Sequence, residues 1–235
     1  MTRAGSDQQL PVPDQPAQVP RWLTDLAAMA EQMAVPDALR PPPGGGRRSA
    51  ILILFGHGAA GPDVLLVQRS QSLRRHAGQA AFPGGVIDAD DKGPVAAALR
   101  EAAEEALVEP VGVQVITVLP DLYISRSGFQ VSPVIAWWRH PVPPAPGDPA
   151  EVTAVARVPL AELADPARRL TIRYPSGTTG PAFRAGEMLI WGFTAYLLDR
   201  LLAMGGWERP WDAGLIVDPP PGAGLPVIDG PDPIP

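Results

Sequence analysis

The chain contains no cysteine. Disulfide bonds, thiolate metal sites and a cysteine nucleophile are therefore excluded from its fold and its chemistry. Positive charge is also scarce. Nineteen Lys and Arg stand against 25 Asp and Glu, which leaves a net charge of −6 and a pI near 5.0. A general nucleic-acid binder would normally carry a basic face, so no nucleic-acid partner is expected. Long uncharged apolar runs are missing too. The most apolar stretch, Met188 to Met204, contains Asp199 and Arg200 and falls short of the ~20 residues of a membrane span. The opening MTRAGSDQQL has no apolar core of the secretory kind. The expectation is a cytoplasmic protein with no membrane partner.

Proline and glycine are plentiful, 31 and 24 of 235 residues, so much of the chain must be loop or tail. Residues 1–47 read as a Pro-rich N-terminal segment. Its first 19 residues are polar and expected to be mobile. Within it, Trp22, Leu23, Leu26, Met29 and Met33 recur at helical spacing and predict a short amphipathic helix from Arg21 to Met33. Residues 48–207 carry the alternating strand and helix signals of one α/β domain. Residues 208–235 are a Pro-rich C-terminal tail in which Leu215, Ile216 and Val217 are apolar enough to dock. Strands are expected at Ser49–Phe55, Val64–Gln68, Val113–Leu119, Phe129–Trp138, after Glu151, and at Leu170–Tyr174. Pro133 is expected at a bulge or edge, and Trp137 and Trp138 in core and rim. A second long helix is expected from Glu187 to Ala203.

One stretch organises the rest, FPGGVIDADDKGPVAAALREAAEEALV, from Phe82 to Val108. Gly93 and Pro94 suit the start of a helix, where a missing N–H costs nothing. Val95, Ala98, Leu99, Ala102 and Ala106 then make one apolar face. Glu101, Glu104 and Glu105 fall at i, i+3 and i+4, so their carboxylates crowd one side. A solvated acidic face is one reading. A divalent cation reversing the repulsion is the other, since carboxylate oxygens suit Mg²⁺ shared with substrate phosphates. Gly84 and Gly85 just upstream allow backbone to approach an ion or phosphate with no Cβ in the way.

These residues resemble the Nudix box, a Gly, an acid, then Arg-Glu-x-x-Glu-Glu-x-Gly and an apolar residue. Gly85, Arg100, Glu101, Glu104 and Glu105 match it. The spacing from Gly85 to Arg100 is one residue longer than the general signature, and Asp91 stands where that signature has Glu. Leu107 takes the place of the late Gly, so the helix is expected to run on to Glu109. A second resemblance covers LLVQRSQSLRRHAGQAAFPGG. Leu65, Leu66, Arg69, Ser70, Arg74, Gly78, Phe82, Pro83, Gly84 and Gly85 fall at the spacing of the coenzyme A pyrophosphatase branch of that family. The loop also gathers Arg69, Arg74, Arg75 and His76 beside an acidic helix, and Arg suits phosphate through its planar fork of donors.

The resemblance implies a Nudix fold, α/β with a mixed β-sheet sandwiched between helices. It implies hydrolysis of the pyrophosphate bond of coenzyme A or its acyl derivatives with Mg²⁺ or Mn²⁺, giving 3′,5′-ADP and 4′-phosphopantetheine. Glu101 and Glu105 are then the metal ligands, with the Gly85 carbonyl as a further oxygen. Glu104 either ligates or orients water, and Arg100 pairs with Glu104 at i+4. Glu151, an acid outside the box at a strand mouth, is a candidate base or extra ligand. Arg69, Ser70, Arg74 and Gly84 are the expected substrate contacts. A small-molecule nucleotide is the expected partner, and a homodimer is an option by resemblance alone. Two alternatives remain: hydrolysis of another nucleoside diphosphate such as ADP-ribose or a dinucleotide, and a non-catalytic nucleotide-binding module.

Overall fold

The computed structural model describes residues 18–72 and 78–219. Expectations placed on residues 1–17, on Arg74, Arg75 and His76, and on residues 220–235 lie outside the described residues.

A parallel pair forms the middle of an eight-stranded sheet. Strand β1 (Arg47–Gly58) runs alongside β7 (Phe129–Trp138), in register from Arg47 beside Phe129 to Phe55 beside Trp137. All other pairings in this sheet are antiparallel, so it is mixed. β2 (Gly61–Arg69) returns along β1 after a tight turn, and β8 (Val152–Pro159) lies outside β2. β5 (Val113–Val118) and β6 (Leu122–Ile124) share the far edge of β7. The runs ILILF in β1 and VLLV in β2 are apolar without alternation because both faces of the sheet are covered.

β1 and β2 stay paired only from Phe55–Gly58 against Gly61–Val64. Beyond that the two strands part. The N-terminal half of β1 pairs with β4 (Gly84–Val86), and the C-terminal half of β2 pairs with β3 (Ala80–Ala81). The sheet is therefore split, and the short segment from β3 to β4 lines the opening.

One face of the sheet is covered by α2 (Pro94–Ala106). Its buried face is Ala97, Ala98, Ala102 and Ala106, packed on Leu52, Leu54, Leu65, Val134 and Trp138. Alanine has the highest helix propensity, and its small side chain lets the helix axis approach the strands. The other face takes α1 (Arg21–Glu31) and α4 (Gly192–Met204). Leu23, Leu26, Leu197, Leu198 and Leu201 are buried there, each worth about 1.5–3 kcal/mol relative to exposure. Trp22 of α1 meets Phe55, Trp137 and Trp207 edge-on, which docks the helix on the domain.

A second sheet of four strands has the order β11 (Met188–Ile190), β10 (Thr179–Ala185), β9 (Arg169–Arg173), β12 (Ile216–Val217). Arg169 is buried between the rings of Phe183 and Trp211 and pairs with Asp199 of α4. One guanidinium so ties the C-terminal segment to the helix. The short α3 (Leu160–Leu163) completes the set.

Several expectations need correction. Pro133 is not at an edge but in central β7. Its carbonyl accepts from Leu119 in the gap between β5 and β6. The missing N–H of Pro133 faces that same gap, because both groups of a strand residue point to one side. Trp137 and Trp138 are both buried, on opposite faces. Residues 188–190 pair with β10 before α4 begins at Gly192, which turns at φ 66°. Helix α2 stops at Ala106, and Leu107 caps it in the left-handed conformation at φ 53°, ψ 34°. Among the described residues it is the one non-glycine with positive φ. The helix thus turns where the box glycine would turn it, with a side chain that disfavours that conformation.

Candidate active site

Helix α2 presents its acids to the opening in the sheet. Arg100 is the hub. Its Nε and Nη2 grip both oxygens of Asp91 at 3.3 and 3.0 Å, and Nη2 also donates to the Val86 carbonyl at 3.0 Å. Nη1 donates to Glu101 Oε1 at 2.9 Å and to Glu104 Oε2 at 3.0 Å. The i+4 pairing expected between Arg100 and Glu104 is present, and the neighbouring acids join it. The hydrogen bond from Arg100 holds Asp91 below its ordinary value, while that bond and those to Glu101 hold the guanidinium firmly charged. Charge-assisted pairs of this kind are among the strong ones. They fix the loop 88–91 and the turn at Val86 to the helix.

Glu105 lies deeper, 3% exposed. Its Oε1 accepts from Arg69 Nη1 at 2.9 Å and its Oε2 from the Gly84 N–H at 3.0 Å. Burial pushes its pKa up to about 7, against the pull of Arg69 and Gly84. The nearby charges of Glu101 and Glu151 push in the same direction as burial. Glu101 is also raised, by burial first, with Glu104 and Asp88 adding to it. The site is short of positive charge even with two arginines in it.

Between these acids and the opening stands a wall of backbone. A Cβ on Gly85 would sit 2.2 Å from Glu101 Oε1, and one on Gly84 would sit 2.4 Å from the Ala50 carbonyl oxygen. Gly84 therefore requires glycine, because the chain passes too close to the β1 backbone for any side chain, whereas at Gly85 the obstruction is the Glu101 carboxylate. On the far side of the wall is a cavity of about 320 Å³. Arg69, Gly84 and Gly85 line one end of it, and Phe82, Phe129, Trp191 and Phe193 supply apolar walls. Arg69 is common to both compartments, bonded to Glu105 and exposed to the cavity. Its buried Nε has no partner among the described residues.

Gly84, Gly85, Arg69, Arg100, Glu101 and Glu105 come together around the wall. Glu104 is on the same helix face but more exposed, held by one oxygen. Among the described residues no three Asp, Glu or His side chains converge tightly enough to hold an ion. Arg100 lies between Glu101 and Glu104, and Arg69 sits on Glu105. Glu151 is exposed at the start of β8; its charge reaches Glu105 and its carbonyl accepts from the Ser70 N–H at 2.7 Å. Ser70 does not line the cavity. It is buried, and its Oγ bonds the Ser72 hydroxyl and N–H, so its place in the motif is to shape the start of the 71–79 loop. Arg74 lies outside the described residues.

Two features escaped sequence reasoning. Asp91 serves as the anchor of Arg100, not as a free loop acid. Gly147, in the Pro-rich loop after β7, donates to the Glu105 carbonyl at 3.2 Å and lies where a Cβ would strike the Glu104 carbonyl oxygen at 1.7 Å. It closes off the C-terminal carbonyls of α2, which have no partners inside the helix. A glycine flanked by Pro in APGDP was the available signal.

The donor chemistry fits a hard divalent cation. Carboxylate oxygens of Glu101 and Glu105 stand near the Gly85 backbone in a site short of positive charge, and such oxygens are the preferred ligands of Mg²⁺. A domain model described as NUDIX matches residues 46–175. The chain is 39% identical over 180 residues to the uncharacterized Nudix hydrolase NudL of Citrobacter koseri, covering 70% of this chain and 85% of that one. It is 41% identical over 143 residues to NudL of Salmonella newport, covering 60% and 73%. A solved Nudix hydrolase from Alicyclobacillus acidocaldarius is similar at a TM-score of 0.44 and 21% identity, over 67% of this chain and 91% of that one. The family match defines a pyrophosphohydrolase of nucleoside diphosphate derivatives. The chain belongs to the Nudix family, whose hydrolases generally act with a divalent metal ion.

Proposed function

We propose that this enzyme hydrolyses the pyrophosphate linkage of coenzyme A or its acyl derivatives, giving 3′,5′-ADP and (acyl-)4′-phosphopantetheine. The branch motif from Leu65 to Gly85 supports the substrate. The observation that carries the chemistry is the meeting of cavity and acids at the two glycines. Gly84, Gly85 and Arg69 line the cavity, and Gly84 and Arg69 bond Glu105, so a pyrophosphate at this end of the cavity lies beside the acids of α2.

Mg²⁺ or Mn²⁺ held by Glu101, Glu105 and the Gly85 carbonyl, with Glu104 as a further candidate, would shield phosphate charge and lower the pKa of bound water. The protein's own part is positioning and electrostatics, as phosphoryl transfer requires. Arg69 faces the cavity with donors suited to a phosphate oxygen. Arg100 holds Glu104 by one oxygen and leaves the other free to orient water. In the reaction an oxygen from water bonds to one phosphorus. The bridging oxygen leaves with the other phosphate, and the proton given up by water passes to a carboxylate. Glu104 and Glu151 are the candidates for that base. Ser70 and Arg74 remain proposed contributors to the substrate loop.

A panel of coenzyme A, acetyl-coenzyme A, ADP-ribose and a dinucleoside polyphosphate, incubated with the enzyme and Mg²⁺, tests this reading. Coenzyme A compounds should show the highest kcat/KM, with 3′,5′-ADP among the products. Preference for ADP-ribose or the dinucleotide would replace the substrate assignment. Binding without turnover of any member would refute catalysis.

A further inference from the structure

A second cation stands just outside the cavity. Arg47, Ser49 and Ile51 alternate on one face of β1, and Ser49 and Ile51 line the cavity floor. Arg47 is the next residue outward on that face. Its guanidinium lies over the ring of Phe129, 5.4 Å from the centroid, and Phe129 is a cavity wall. Arg47 also sits in register with Phe129 across the parallel β1–β7 pair, and its N–H is fixed to the Gly128 carbonyl at 2.8 Å. The backbone under this arginine is therefore held, and its side chain is supported by an aromatic face.

Arg47 is exposed, and among the described residues no carboxylate is within ion-pair reach of it. Arg126, also exposed, lies in the β6–β7 turn beside Ser127, another cavity residue. Gly85 pairs with Ala50 on β1, three residues from Arg47. At ~3.3 Å per residue Arg47 and the Gly85 position are roughly 10 Å apart along the strand. Ser49, Ile51 and Val86 line the cavity between them.

We propose that Arg47, stacked on Phe129, is a specificity-determining residue that binds a second phosphate, a phosphomonoester on the ribose of the nucleotide whose diphosphate occupies the Gly84–Gly85 wall. The proposal rests on the function given above for the position of the diphosphate. Arginine on an aromatic face keeps its fork of donors directed outward. A ribose phosphate supplies the dianion that the fork matches. A nucleotide with both phosphates engages both the wall and Arg47, and one lacking the ribose phosphate engages only the wall.

Binding of adenosine 3′,5′-bisphosphate and of AMP to the full chain, measured by calorimetry, tests this without turnover. The wild type should bind the bisphosphate more tightly. Arg47→Ala should lose roughly 10- to 150-fold in bisphosphate affinity, the scale of one charged hydrogen bond, with AMP changed less than twofold. Arg47→Lys should recover part of the loss, since an ammonium keeps the charge but not the fork. Equal binding of both probes by the wild type, or an equal loss for both in Arg47→Ala, overturns the proposal. So does an unchanged bisphosphate preference in Arg47→Ala, which would place the reader elsewhere. Hydrolysis of the substrate panel reports separately. A chain that turns over no diphosphate yet shows the Arg47-dependent difference loses the proposed function and keeps the anion site. A chain that hydrolyses coenzyme A with Arg47→Ala binding like wild type does the reverse.

Discussion

Two residues carry most of the tension in this site. Leu107 adopts a left-handed conformation that costs an L-residue about 1–2 kcal/mol, and it is half exposed, at 51%, so it recovers little by packing. Leu107→Gly should stabilise the protein by about 1 kcal/mol, after the greater entropy lost by glycine on folding is deducted. For a chain of this size that is a rise of roughly 2–4 °C in Tm. A lower Tm would show that the Leu107 side chain, which reaches toward Gly147, contributes more than its strain costs. Glu105 gives a second handle. Its pKa rises on folding from an ordinary 4.5 to about 7. Between those values the folded state holds more protons than the unfolded one, so stability falls as pH rises through this window and levels off above it. Glu101 shifts in the same direction. The loss is on the order of 3 kcal/mol for Glu105. With chelator present, Tm should decline from pH 5 to pH 7.5, and Glu105→Gln should flatten the decline. A divalent cation competes with that proton, so stabilisation by Mg²⁺ should be larger at pH 8 than at pH 5. A Tm independent of pH across the window in both proteins would contradict the assignment.

At the scale of elements, the sequence was most legible where periodicity and punctuation agree. Helix α2 begins at Pro94 after Gly93 as its residues require, and the Ala face is the buried one. The apolar runs of β1 and β2 are strands, and Trp22 marks a helix that packs on the core. Legibility failed where a long-range contact decides. The end of α2 is set by Gly147 and by the turn at Leu107, not by helix propensity beyond it. The entry to α4 is set by pairing of residues 188–190 with β10, which no local pattern announces. Pro133 is tolerated in a central strand because the neighbour of β7 changes there from β6 to β5. Ser70 matched a motif, yet its hydroxyl is spent on the loop. The Gly147 contact makes a prediction at this scale. Gly147→Ala places a methyl against the Glu104 carbonyl, so the loop after β7 must withdraw from the helix end. The expected result is a loss of about 1–3 kcal/mol, typical of overpacking, together with reduced kcat, since Glu104 and Glu105 sit on that last turn. Unchanged stability and turnover would mean that the loop end is free to move without disturbing α2.

For the molecule as a whole, function depends on the split between β1 and β2. The strands part beyond Phe55, the β3–β4 segment enters, and two glycines leave a wall thin enough to bring acids and cavity together. Arg69 crosses between them from one side and Arg47 marks the outer end. No helix among the described residues is long and apolar enough to cross a membrane. The acid stripe and the glycines were readable from spacing. The cavity was not, because Phe82, Phe129 and the Trp191–Phe193 pair come from three separate parts of the chain. Whether the acids of α2 perform the chemistry is measured most directly by turnover of Glu105→Gln with coenzyme A and Mg²⁺. Glutamine retains the size and comparable helix propensity of glutamate and removes the charge facing Arg69. The expected result is a folded protein with kcat lowered by roughly 10²-fold or more, the scale of one lost electrostatic contact to a transition state. Near-wild-type turnover with the normal Mg²⁺ requirement would contradict it.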